Sequence, residues 1–505
     1  MRLYTSSQMR AMDKYAIDNL NIPSTLLMEN AAKAVADTAQ RIAKNKKAAI
    51  FCGSGNNGGD GIAAARILLI AGFEIKALLV SGKDKMTENS SEMSRRLMEA
   101  GGILEDFQPD DPELFAFLSG CGVIIDAMLG TGLNSPLRGA YLKAVDIING
   151  LNAPVVAADI PSGVSADTGE ILGNAVMADV TVTFTGKKIG NAVEPGNVYS
   201  GEVVVADIGI PAGNAPETCE KVFSMEHEDV KARLPRRKRI SHKGDYGKIF
   251  IIGGSVGYTG APFLAARAAL RSGAGLIRLG VPASIYPVIA SKCVETMPFP
   301  LQDDPSGKID ERAIPQVIKV LGESDLCLIG PGLGRSDGVE KLVRAVLCHA
   351  RVPVVLDADG INAVCGNINV LDRATHPLIL TPHEGEYKRL GGILGRDRMK
   401  SAAEFSNRHG CVTVLKGHRS ITAFPNRRIY INTTGNPGMA KGGSGDVLSG
   451  IIAALICQMP LDCAVPSAVW LHGRAGDISA RRFGEYSMTP SDLIEALPEA
   501  FKEIE

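Results

Sequence analysis

The chain has 505 residues, 45% of them hydrophobic and 22% charged, the make-up of a folded protein with room for more than one core. Its 54 basic and 55 acidic residues leave a net charge of −1, so no overall field draws it to nucleic acid or to an anionic membrane. The first residues, MRLYTSSQMRAMDKYAIDNL, lack the apolar core of a secretory signal, no apolar run reaches membrane-spanning length, and the ten cysteines form no CxxC pair; together these predict a cytoplasmic protein without a disulfide framework.

Short β-branched apolar runs alternate with helical patterns along the whole chain, which predicts an α/β architecture of parallel sheets covered by helices. In the first half, strands are expected at 47–52, 75–80, 122–126, 154–159 and 179–185, and helices at about 8–20, 25–43 and 60–71. Between the first of these strands and the helix after it lies GSGNNGGDG (53–61), whose Gly53-x-Gly55-x-x-Gly58 spacing is formally a dinucleotide fingerprint. The following strand ends EIKALLVSGK, with no acidic residue to grip a ribose, and the loop offers Asn56, Asn57 and Asp60 beside its backbone amides. A nucleotide-like ligand, held differently from a hydride-transfer cofactor, is the reading. VIIDAMLGTGLNSP and VVAADIPSGV set Asp126 and Asp159 at strand ends, and in an open parallel sheet such ends converge on one crevice, where Asn57 and Ser162 would join them. Oxygen ligands of this kind suit a hard cation better than zinc, with one carboxylate free for acid–base work. Taken singly, each aspartate serves equally well as a turn or cap residue.

The break between halves falls near 210–245, where IGIPAGNAPETCEKVF has turn chemistry and KARLPRRKRISHKG carries a dense basic run, read as a solvated connector without the interleaved aromatics of a nucleic-acid site. In the second half, strands are expected at 248–252, 275–280, 325–329, 352–357, 377–380, 411–415 and 428–432, and helices at 261–272 and 445–457. Glycine loops follow the first and third of these strands, at Gly253, Gly254 and Gly257 and at Gly330, Gly332 and Gly334. Asp357 and Asp359 end another strand; His383 and Glu384 lie just past the next, and Lys416, Gly417 and His418 follow the one after. Residues 435–450, GNPGMAKGGSGDVLSG, bring one carboxylate, Asp446, to the start of an apolar helix. Glycine lets backbone N–H groups face an anion there, and the helix N-terminus adds partial positive charge. An aspartate is the wrong group to hold phosphate and the right one to accept a proton from a hydroxyl attacking a phosphoryl group.

These motifs resemble those of the bifunctional NAD(P)H-hydrate repair enzymes over nearly the full length. LLMENAA (26–32), GSGNNGGDG, DAMLGTGLNSPLRG (126–139) and DIPSGVSADTG (159–169) are similar to the epimerase; HKGDYGKIFIIGGS (242–255), GPGLGR (330–335), DADGIN (357–362), TPHEGE (381–386) and the Asp446 loop are similar to the ADP-dependent dehydratase. The resemblance implies two α/β domains: a Rossmann-like three-layer sandwich at 1–220 and a ribokinase-like domain at 226–505. It implies that Asn56, Asn57, Gly58, Gly59, Asp60, Gly130, Thr131, Gly132, Leu133, Asn134, Ser135, Pro136 and Asp159 bind the hydrate in the epimerase, with Asp159 as acid–base group and Asn57, Asp126 and Ser162 on potassium. In the dehydratase it implies Ala261, Gly332, His383 and Asp446 on the hydrate, Asp446 as base, and Lys416, Gly417, His418, Arg419, Ser420 and Gly445 on ADP, which brings Mg2+. It further implies a homo-oligomer, tetramer or octamer, with no nucleic-acid or membrane partner. Ala32 stands where the family often has glycine and Lys441 where it commonly has threonine, so Lys441 is expected to alter phosphate contacts. The alternative reading is a ribokinase-like kinase for a vitamin precursor, fused to a nucleotide-binding module.

Overall fold

Successive residues of the strand Lys47–Cys52 enter two different cores, because side chains on a strand alternate between its faces. Ala48, Ile50 and Cys52 pack with the helices Ser6–Asp18, Ser24–Ile42, Asn56–Ile70 and Glu88–Glu99; Ala49 and Phe51 pack with Pro112–Ser119 and Ala140–Asn149. A sheet buried on both faces explains why its strands read as continuous apolar runs. The computed structural model describes residues 1–211, 221–395 and 397–505. The chain divides into two units, Arg2–Cys219 and Glu220–Glu505 with Met1.

In the first unit all pairings are parallel, in the order Leu104–Asp106, Glu74–Leu79, Lys47–Cys52, Val123–Ala127, Val155–Ala158, Val180–Phe184, Glu202–Ala206. The chain starts in the middle, works outward to Leu104–Asp106, then returns to the other side of Lys47–Cys52. That reversal between Lys47–Cys52 and Val123–Ala127 opens a crevice at the C-terminal strand ends. Gly61 lets the helix Asn56–Ile70 lie close on the sheet, since a Cβ there would be 2.4 Å from that of Ala127.

In the second unit the strands run Lys221–Met225, Arg428–Asn432, Ile421–Ala423, Val412–Leu415, Leu378–Leu380, Val354–Leu356, Leu326–Ile329, Lys248–Ile252, Leu276–Pro282, Met297–Leu301. They are parallel except where Ile421–Ala423 meets its two neighbours. Sequence reading overlooked that strand: the segment linking 411–415 to 428–432 turns straight back on itself, as only antiparallel neighbours can. The reversal in strand order lies between Lys248–Ile252 and Leu326–Ile329. The core gathers the helices Gly260–Arg271, Ser444–Ile456, Leu461–Ser487 and Pro490–Ile504. Gly450 permits close packing of two of them, for a Cβ there would lie 2.2 Å from the Ala265 carbonyl oxygen.

The helices expected at 8–20, 25–43, 60–71, 261–272 and 445–457 occur at Ser6–Asp18, Ser24–Ile42, Asn56–Ile70, Gly260–Arg271 and Ser444–Ile456. Part of the turn-rich 208–223 segment lies outside the described residues. The basic run is largely exposed; Arg237 stacks 4.0 Å from the Tyr246 ring centroid and donates to the Gly273 carbonyl. Among the described residues no helix is long and apolar enough to cross a membrane.

Candidate active sites

A cavity of about 730 Å³ occupies the crevice of the first unit. Of the residues expected there, Asn56, Asn57, Asp60, Gly130, Thr131, Gly132, Leu133, Asn134, Ser135 and Asp159 line it. Gly58 and Gly59 lie beneath and act through packing: a Cβ at Gly58 would stand 1.8 Å from the Gly53 carbonyl oxygen, and one at Gly59 2.7 Å from the Met28 side chain. Pro136 is exposed and outside the lining set. Asp126 and Ser162 are buried together under the loop at 128–130. The Ser162 backbone N–H and hydroxyl each donate to Asp126 at 2.7 Å, and the Leu129 N–H donates to the Ser162 hydroxyl at 2.9 Å. Burial pushes the Asp126 carboxyl up to about 6, against the pull of the Ser162 bonds. Among the described residues the buried Asn57 amide nitrogen has no hydrogen-bond partner; it lies beside Gly130, where a Cβ would be 3.2 Å from the Asn57 side chain.

Asp159 holds a left-handed backbone, φ 68°, uncommon for a residue with a Cβ and a mark of local strain at a site. Its carboxylate accepts from the Phe184 N–H at 3.2 Å and from the ammonium of Lys188, which is 1% exposed. Lys188 also donates to the Thr183 hydroxyl and the Phe184 carbonyl, both at 3.0 Å, so all three of its N–H bonds are used. Lys188 was missed by sequence reading; its signal, a lysine just past the strand at 179–185, is indistinguishable there from a solvated one.

In the second unit the strand-end loops again converge. Asp357 is buried, accepting from Lys416 at 3.0 Å and from the Thr381 hydroxyl at 2.7 Å, while its other carboxylate oxygen has no partner among the described residues. Lys416 lies 3.9 Å from Glu386, another buried carboxylate. His383 caps the short helix Glu384–Arg389, its Nδ1 accepting from the Gly385 N–H at 3.0 Å, with Nε2 3.5 Å from Glu386. Gly332, at φ 66°, and Ala261 adjoin: a Cβ on Gly332 would be 3.1 Å from that of Ala261. The 417–420 turn is closed by the Ser420 hydroxyl donating to the Gly417 carbonyl at 3.0 Å, and Arg398 donates to the His418 carbonyl at 3.2 Å.

Asp446 stands in the first turn of Ser444–Ile456, after Gly443 at φ 102°. Burial, then the charges of Asp357, Asp359 and Glu386, push its carboxyl up to about 7, while Lys416 pulls the other way. Gly445 lets Lys416 approach, since a Cβ there would be 3.2 Å from the ammonium. Behind the loop, the Ser444 hydroxyl meets His472, whose burial lowers its pKa to about 4, so the imidazole is neutral. Sequence reading missed Glu386, which looks like a helix-start residue. Lys441 departs from expectation: its ammonium donates to the Tyr486 and Met488 carbonyls at the end of the long helix, which ties the loop down instead of leaving the charge for phosphate.

Comparison with known proteins bears on both sites. The NAD(P)H-hydrate dehydratase family profile matches residues 249–499, and a profile described as YjeF-related protein N-terminus matches 24–190. The chain is 38% identical over 529 residues to a bifunctional NAD(P)H-hydrate repair enzyme from Moorella thermoacetica, covering 100% of this chain and 97% of that one. A protein of the same description from Thermofilum pendens is 38% identical over 509 residues, covering 99% and 96%. A solved ribokinase-like superfamily protein from Enterococcus faecalis V583 is 28% identical at a TM-score of 0.50, covering 56% of this chain and 96% of that one. The second unit thus has the ribokinase-like fold.

Proposed function

The chain belongs to the family of bifunctional NAD(P)H-hydrate repair enzymes, and on that premise we propose that residues 1–220 interconvert the R and S hydrates of NADH and NADPH while residues 226–505 dehydrate the S form at the expense of ADP, giving NAD(P)H, AMP and phosphate. The observation that carries the reading is Asp446, its carboxyl raised to about 7, delivered by a glycine loop and a helix N-terminus to strand-end loops that hold the half-buried Lys416. Such a group takes the C6 hydroxyl proton as that oxygen accepts a phosphoryl group from ADP. The C6–O bond of the phosphate ester then breaks, C5 gives up a proton that leaves with the phosphate, and the C5=C6 double bond of NAD(P)H forms, because phosphate leaves far more readily than hydroxide. Lys416 and the 417–420 turn with Gly445 bind the nucleotide, and Ala261, Gly332 and His383 bound the hydrate. In the first unit Asp159, paired with Lys188, exchanges the C6 hydroxyl proton as the epimers interconvert.

Both cations fit the donors present. Asp357, with one unpartnered buried oxygen, and Asp359 offer the hard oxygen ligands that Mg2+ takes alongside nucleotide phosphates. Bound there, Mg2+ would neutralise charge on the transferred phosphoryl group. The side-chain oxygens of Asn57, Asp126 and Ser162 make an all-oxygen donor set, suited to potassium, which would supply positive charge beside the hydrate loop. A soluble nucleotide substrate accords with a cytoplasmic homo-oligomer, tetramer or octamer. A vitamin-precursor kinase on this fold would use ATP and leave a stable phosphate ester; the full-length similarity to repair enzymes favours elimination.

The deciding assay gives purified protein mixed hydrate epimers, ADP and magnesium in potassium buffer and follows reduced-nicotinamide absorbance. Complete conversion of both epimers is expected. Conversion that stops when the S form is spent would remove the epimerase from the proposal, and a stable phosphorylated product would replace it with the kinase.

A further inference from the structure

The first unit's cavity holds more carboxyl groups than Asp159 alone accounts for. Asp13, on the helix Ser6–Asp18, lines it together with Asp60 from Asn56–Ile70, Asp159, Lys188 and, from Asp13's own helix, Arg10. Lys188 is committed to Asp159, whereas Asp13 borders the cavity with no ion-pair partner among the described residues. Burial, and after it the charge of Asp159, push the Asp13 carboxyl up to about 6, against Lys188. Asp60 is buried at the cavity wall and pushed well above the usual carboxylate range by burial, Asp159 and Asp13. Three carboxyl groups sharing one lysine do not all ionise near neutral pH, so this cavity offers both a carboxylate and a carboxylic acid.

Inversion at C6 needs both forms. C6 of the hydrate carries the hydroxyl and is bonded to ring nitrogen N1, a hemiaminal, and such a centre loses its configuration when the C6–N1 bond opens to an aldehyde. Opening removes a proton from the hydroxyl and delivers one to N1; a single carboxylate is badly placed to do both.

We propose that Asp13 is a second catalytic residue of the epimerase, the acid that protonates N1 while Asp159 takes the hydroxyl proton. The inference rests on the epimerase reading above. As the O–H bond breaks, its proton passes to Asp159, the C6=O bond forms, the C6–N1 bond breaks, and the nitrogen lone pair takes the Asp13 proton. Rotation about C5–C6 presents the other aldehyde face. N1 then adds to C6, returning its proton to Asp13, and the oxygen recovers the proton from Asp159. No oxidant or further reactant is needed, and the site ends as it began.

The test uses the full-length chain and the purified R hydrate with ADP, the chain's own dehydratase reporting each S hydrate formed. Asp13→Asn is expected to lower kcat for R-hydrate conversion by about 100-fold or more, with little change in KM and unchanged dehydration of the S hydrate. An acid works while protonated, so wild-type R-hydrate conversion falls as pH rises through about 6, and Asp13→Asn abolishes that limb. Asp13→Glu, which keeps the acid, recovers part of the rate. Unchanged kcat in Asp13→Asn overturns the proposal, as does a loss of rate in which the residual activity keeps the wild-type pH profile, the mark of a structural role. If the wild-type chain converts only the S hydrate, the epimerase reading itself falls, a result distinct from either.

Discussion

Asp446 and Asp159 keep opposite electrostatic company. Asp159 is in direct contact with Lys188, whose only ion pair among the described residues it is, whereas Lys416 lies within 4 Å of both Asp357 and Glu386 and carries Asp446 as a third carboxyl neighbour. Crowding of that sort, after burial, raises the Asp446 carboxyl to about 7, where a base both holds its ionised form and attracts a proton effectively. A base acts while deprotonated, so kcat/KM for S-hydrate dehydration should fall as pH drops through about 7 and level off above it. Asp446→Asn should erase that limb and reduce dehydration by about 100-fold or more while leaving R-to-S conversion intact. Retained dehydration would remove Asp446 as the base. This aspartate was legible beforehand because its whole context, glycines then an apolar helix, is contiguous. Lys188 was not: its partner lies 29 residues away, and a lysine after a strand looks the same whether it is solvated or 1% exposed.

The glycine loop leading to Asp446 is fastened to the helix Leu461–Ser487 at several points. The Gly435 N–H and the Asn436 amide each donate to Asp477 at 3.0 Å, and Lys441 reaches the Tyr486 and Met488 carbonyls. Between them Gly438 and Gly476 allow contact: a Cβ on Gly476 would be 2.3 Å from the Met439 sulfur, and one on Gly438 2.7 Å from the Glu485 carbonyl oxygen. A loop rich in glycine is otherwise free to wander, and each lost hydrogen bond costs roughly 0.5–1.5 kcal/mol. Lys441→Met should therefore raise KM for ADP by about threefold to tenfold with a smaller effect on kcat, as steady-state kinetics would read directly. A lowered KM would mean that Lys441 works against nucleotide binding. The anchoring helix is not among those predicted from the sequence, so neither Asp477 nor the terminus that Lys441 grips is legible along the chain. Periodicity announces a helix; it does not say which loop lies across it.

Each of the two units has its own sheet, its own core and its own crevice at a reversal of strand order. The proposed chemistry divides the same way, and so should the dependence on cations. Exchanging potassium for tetramethylammonium should slow R-to-S conversion and spare S-hydrate dehydration, whereas chelating magnesium should do the reverse. Parallel loss of both activities under either treatment would contradict the two assigned cation sites. Alternating strand and helix patterns, the glycine loops that follow strands and the carboxylates at strand ends could all be read along the chain, since each depends on residues within a few positions of one another. Tertiary structure alone decided which of those groups share a site: Lys416 with Asp357 across 59 residues, Glu386 beside that lysine, and Asp13 from the N-terminal helix in the cavity of Asp159. It also decided that Lys441 holds backbone carbonyls. Charge pairing and burial are set by distance in space, and distant segments leave no local pattern of their meeting.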